Sequence, residues 1–324
     1  MPAMPQFLSC FWSTVNPSCV TVRGDNQWPV CDDARVEAPP FASVVETARD
    51  RLAEAIRSRV VGPNADHRAQ QLFEAPGERW FAADRPIRVV HSDASMFIGG
   101  MRALLLQSLH PLAMAGVAAH SDYRSDPWGR LQRTADFLAA TTFGPATEAE
   151  QAIAIVRRVH ERVTGTARDG RPYAANDPHL LRWVHIAELD SFIVAHQRFG
   201  ANPLDAAGYD AYVADMSLIA EQLGAESPPR TVAELKAALR AYRGELASTR
   251  EARDEARYLT LTPPLPVAAR AAYGTIAAAA IALLPVYAKR MLRLPWLPLT
   301  ERAVALPVGD AVTRAIRWAL PTQG

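Results

Sequence analysis

DPWGRLQRTADFLAATTFG (126–144) and DPHLLRWVHIAELDSFIVAHQRFG (177–200) are punctuated in the same way. Each opens on Asp-Pro. The aspartate can accept the free amide protons of a first helical turn, and the proline brings a preset φ and no amide of its own. Each closes on Gly, where helices commonly stop. Two capped helices of this length set the expectation for the whole chain, an all-α fold.

The pattern extends outward from them. Residues 43–60 carry apolar residues at every third or fourth position and stop at Gly62-Pro63. A helix is expected over 93–110, broken at once by Pro111, with a short apolar continuation to 119. Further helices are expected over 147–164, 204–223 and 232–257, with a turn-rich stretch over 167–176. Strand signals are nearly absent. The expected organisation is one helical domain, residues 41–260, with a buried cofactor pocket. Residues 1–40 lack helical periodicity and read as a disordered or extended leader. Residues 261–324 read as apolar C-terminal helices. Within them, 271–287 is charge-free and Ala-rich but shorter than the roughly twenty apolar residues of a membrane span. It is read first as a buried helix or hairpin and second as a membrane contact. In the tail, Arg290, Arg293, Arg302, Arg314 and Arg317 are expected to face outward.

Charge excludes one class of function. Thirty-five basic residues against 34 acidic leave a net charge of +1, which gives no footprint for nucleic acid. The three cysteines, Cys10, Cys19 and Cys31, form no C-x-x-C pair, so a zinc or iron–sulfur site built on them is not expected. No export signal is legible, and a cytoplasmic protein, peripheral to the membrane if 271–287 touches one, is expected.

Among the histidines, His160 is the best placed. Ile153, Val156, His160 and Val163 fall on one helical face, which sets an imidazole in an apolar stripe. Spacing leaves two readings open: a core histidine bonded to backbone, the commoner case, or a metal ligand. His185 is the alternative ligand. It shares a face with Leu181, Glu188 and Phe192, and Glu188 is either its partner or a solvated charge. His110 reads as structural at the proline kink, and His179 as exposed in a first turn. Arg130, Arg133, Thr134 and Phe137 share one face, which suits an anionic partner such as a carboxylate, or a pair of surface salt bridges. Gly99, Gly100 and Gly116 interrupt apolar helical segments and allow close approach of a flat cofactor or of a neighbouring helix. No acidic residue stands three before any histidine, which disfavours a carboxylate-bridged di-iron bundle. His91/Asp93 and His120/Asp122 each supply half of a facial triad for non-haem iron.

Taken in order, GVAAHS (116–121), Asp126-Pro127, RLQRT (130–134), Phe143-Gly144, VRRVHERVTG (156–165), Tyr173, Asp177-Pro178 and LRWVH (181–185) resemble the oxygenase family of bacterial latex-clearing rubber oxygenases and fungal MpaB-type oxygenases. The resemblance covers about residues 85–250. It implies a globin-reminiscent helical domain that binds haem b, with His160 at the position of the proximal iron ligand. It also implies that Arg130, Arg133 and Thr134 occupy the family's Arg-x-x-Lys-Thr motif, as groups that anchor propionates or act on bound oxygen. Arg133 departs from that motif: a lysine can ligate iron once deprotonated, whereas an arginine keeps its proton. Between residues 96 and 134 the only carboxylates are Asp122 and Asp126, so cleavage of polyisoprene is not expected. The resemblance implies an oxidoreductase acting on a hydrophobic small molecule. Two rivals remain at this level: a non-catalytic binder of lipid, and a non-haem iron enzyme using His120 and Asp122.

Overall fold

The chain was described as a computed structural model, covering residues 40–60, 62, 67–68, 70–120, 126–262, 265 and 267–320. The expected leader and Asp122 lie outside the described residues. Helix α1 (Pro40–Val60) and a π-helical turn (Gln70–Glu74) lead to α2 (Pro86–His91), α3 (Met96–Gln107) and α4 (Pro111–His120). Then come α5 (Pro127–Phe143) and α6 (Ala146–His160). A three-residue hairpin, β1 (Thr164–Thr166) with β2 (Pro172–Ala174), is antiparallel, with Gly165 opposite Tyr173. The remainder is α7 (Pro178–Phe199), α8 (Ala206–Leu223), α9 (Val232–Ala241), α10 (Arg250–Leu261), α11 (Val267–Leu283), α12 (Val286–Leu292) and α13 (Leu306–Ala319). The fold is all-α, as the two Asp-Pro helices predict.

Both caps form. Asp126 accepts the amide proton of Gly129 at 2.9 Å, and Asp177 accepts that of His179 at 2.8 Å. Helix α7 is the pivot of the core. Trp183, Ile186, Leu189, Phe192, Ile193, Ala195 and Phe199 are buried on more than one face, so the helix is surrounded by others. α3 lies closest. A Cβ at Gly99 would sit 2.8 Å from Phe192 Cδ1, so glycine there lets two helices touch. Arg102 is buried in the same seam and donates to Leu283 O at 3.1 Å, Ser191 Oγ at 2.6 Å and Asp190 Oδ2 at 2.7 Å. Its charge is thereby paired and its donors used, the condition under which a buried ion is tolerated.

The C-terminal helices pack onto this core. Ala277, Ala279, Ala280 and Leu284 are buried, and Gly309 of α13 abuts Phe199 and Ala279. Arg317 does not face outward as the sequence suggests. It grips the buried Asp93, with Nη2 2.9 Å from Oδ1 and Nε 3.1 Å from Oδ2. Among the described residues no helix is long and apolar enough to cross a membrane.

Two helices end earlier than their periodicity suggests. α6 stops at His160 and gives way to the hairpin, because Thr164–Thr166 finds a strand partner in Pro172–Ala174. The expected 232–257 helix is two helices. It leaves the α path through a 3₁₀ turn at Tyr242–Gly244 and restarts at Arg250, where Thr249 accepts the amide proton of Ala252 at 3.1 Å. Gly244 weakens a helix interior, and a threonine cap stabilises a new start.

Candidate functional site

Helices α5 and α6 are joined only by Gly144 and Pro145, so they run back to back as antiparallel neighbours. Arg130 and His160 stand equally far from that turn and therefore at the same end of the pair. His160 is half-buried, and burial lowers its pKa, which keeps the imidazole neutral. Its ring makes no hydrogen bond to another described residue. Arg130 is half-buried and has interactions within the protein. Arg133 is exposed and lies 3.3 Å from the exposed Asp126. Thr134 is exposed and donates to Arg130 O at 3.0 Å. Phe137 turns inward and packs against the main core.

The three candidate glycines do not share one environment. Gly99 is spent on the α3–α7 contact described above. A Cβ at Gly100 would meet no atom within 4 Å, and one at Gly116 would make ordinary contact with Tyr173 at 3.5 Å. The His-x-Asp pair at 91/93 is fully committed. His91 bonds to Thr142 Oγ1 at 2.8 Å and to Tyr212 OH at 3.0 Å, while Asp93 holds Arg317. Burial pushes the His91 pKa down to about 3. His120 lies 3.0 Å from Thr164 O through Nε2.

On α7, His185 is buried and Glu188 partly buried. The Nε2 of His185 has no hydrogen-bond partner among the described residues, and burial lowers its pKa to about 4. Glu188 is only partly exposed, and desolvation raises its carboxyl pKa to about 7. His196 Nε2, on the same helix, is likewise buried without a partner among the described residues.

A third constellation is assembled from three separate segments. His110 lies between α3 and α4, His179 in the first turn of α7, and Glu245 just after the 3₁₀ turn. Their ligand atoms all lie within 4.8 Å of one another. His179 Nε2 is 2.8 Å from Glu245 Oε2, and His110 Nε2 is 3.3 Å from the same oxygen. His179 Nδ1 is 2.7 Å from Glu226 Oε1. His179 stacks on Tyr242, with ring centres 4.5 Å apart. Sequence reasoning passed over both glutamates, since a helix continued through 257 places Glu245 on a face far from His179. Gly244 and the Thr249 cap were the available signals that the helix breaks there.

The sequence profile of the family described as "ER-bound oxygenase mpaB/B'/Rubber oxygenase, catalytic domain" matches residues 87–318. The match runs from α2 into the last turn of α13, well over half of the chain. No curated protein and no solved structure matches.

Proposed function

The chain belongs to the MpaB/rubber oxygenase catalytic-domain family, and from that premise we propose a haem b-dependent oxygenase acting on a hydrophobic small molecule. The observation that carries the proposal is the unbroken family match across the helical core. The residues present fit a haem in three respects. His160 is held neutral by burial, and only the neutral imidazole binds iron. His185 offers a buried nitrogen without a partner among the described residues, which makes it the alternative ligand. Arg130 and Arg133 stand at the same end of the α5–α6 pair as His160, where guanidinium groups would bind the propionates. Bound haem would supply the oxygen chemistry, and the helices its position and surroundings.

Arg133 shapes the reaction by what it cannot do. It keeps its proton, so it can orient an anion but cannot ligate iron as lysine can. A substrate other than polyisoprene follows from this departure. Leu131, Ile155 and Val159 leave apolar surface exposed on the same two helices, in keeping with an apolar substrate.

The test is an absorption spectrum of the full chain expressed with haem supplied. A Soret band is expected, with His160→Ala losing it and His185→Ala keeping it. The reverse pattern would move the ligand to α7. Colourless wild-type protein would overturn the proposal, and lipid in its native mass spectrum would then mark a binding module.

A further inference from the structure

We propose that His110, His179 and Glu245 bind one divalent transition-metal cation, with Glu226 holding His179 in the ligating orientation. This proposal is independent of haem binding, because none of the four residues belongs to the α5–α6 end or to the His185 face.

Distance is the first argument. Two donors each about 2.1 Å from one cation lie roughly 3.0–3.4 Å apart. Glu245 Oε2 stands 2.8 Å from one imidazole nitrogen and 3.3 Å from the other. Two of the three donor pairs thus stand close to the spacing of a coordination shell, and the third lies within 4.8 Å.

Proton placement is the second. A carboxylate only accepts hydrogen bonds, so Glu226 at 2.7 Å fixes a proton on His179 Nδ1. The neutral ring then aims the lone pair of Nε2 at another carboxylate oxygen 2.8 Å away. Something positive must lie between them. Without metal this is a second proton on the ring. A cation at Nε2 takes the place of that proton. The carboxylate that orients a ligating histidine through its other nitrogen is a recurrent feature of metal sites.

Charge and rigidity agree. Two neutral imidazoles and two carboxylates leave a charge of −2 for a divalent cation to cancel. The neighbouring cations are Arg171, 2.7 Å from Asp169, and Arg182 near Tyr242. The His110 ring contacts Trp183 and Tyr242, and Tyr242 OH donates to His179 O at 2.9 Å. His179 and Glu245 are each 41% exposed, which leaves one side of the tripod open to water. Two histidines and one carboxylate with open positions suit Zn²⁺ or Fe²⁺ better than Ca²⁺ or Mg²⁺.

The experiment is calorimetric titration of chelator-stripped full-length protein with Zn²⁺. One cation per chain is expected, with protons released and affinity falling as the pH is lowered. His179→Ala and Glu245→Gln, both at partly exposed positions, should abolish this binding, with circular dichroism confirming the fold. Glu226→Gln should weaken it about 10- to 100-fold. Absence of saturable binding by the wild type would overturn the proposal. So would wild-type affinity in either ligand variant, or an unchanged affinity in Glu226→Gln.

Discussion

The α5–α6 end and the His110–His179–Glu245 corner both present histidines for metal chemistry, but they are built in opposite ways. The first comes from a continuous helical hairpin. Its residues are close in sequence, its cap is local, and its arginine and threonine face outward. The second draws on four segments, two of which supply glutamates, and each of its donors except His110 already holds a strong hydrogen bond. On the proposals above, the first would take a large ligand that itself supplies the missing contacts, and the second a small cation. A contiguous motif can be read as a word, whereas a composite site exists only once the helices have packed.

A crossed experiment should separate the two with the largest effect. His160→Ala should abolish the Soret band and leave one Zn²⁺ bound per chain, while Glu245→Gln should do the reverse. Loss of both signals in either variant would show that the two regions form one site.

The next effect concerns Glu188, on the central helix α7. Its folded pKa of about 7 lies above its ordinary 4.5, so its contribution to stability is present at low pH and is lost as pH rises through that window. The pKa of His91 is lowered from 6.5 to about 3, so there stability is lost as pH falls below 6.5. Glu188→Gln should therefore stabilise the protein above about pH 8, by at most about 3 kcal/mol, and have little effect in acid. Denaturant unfolding at the two pH values measures this, and an equal effect at both would rule out a titrating carboxyl.

Glycine variants sharpen the reading of α3. Gly99→Ala should destabilise by about 1–3 kcal/mol, because Phe192 has no room to retreat. Gly100→Ala should leave stability unchanged or raise it by up to about 1 kcal/mol. If thermal melts show Gly99→Ala as harmless, the close α3–α7 contact is wrong. If Gly100→Ala selectively weakens the Soret band, that glycine faces the cofactor.

The smallest effect is expected at Arg133. Its pair with Asp126 is exposed on both sides, so Arg133→Ala should change stability by less than about 1 kcal/mol. A larger loss without haem would mean that the arginine does structural work here.

Much of the fold was legible in the chain because it is local. Asp126 and Asp177 cap where their Asp-Pro signals stand, and Gly144 and Gly200 end the same helices. The apolar run 271–287 was ambiguous, since burial and membrane contact leave the same alternation-free pattern. Packing of Ala277, Ala279 and Ala280 into the core settles its inner face. Arg317 looked like one of several outward arginines, and nothing local indicated Asp93 as its partner, 224 residues away.

What the sequence by itself determined is the helical class and the two Asp-Pro helix starts, which depend on hydrogen bonds and periodicities that close within a few residues, and the family, which depends on an ordered set of short motifs. Only the tertiary structure decided that Gly99 serves a helix crossing, that the Glu188 carboxyl is lifted toward neutrality, and that two glutamates from distant turns meet His110 and His179. Burial and electrostatic pairing depend on which elements become neighbours, and that is a property of the packed chain.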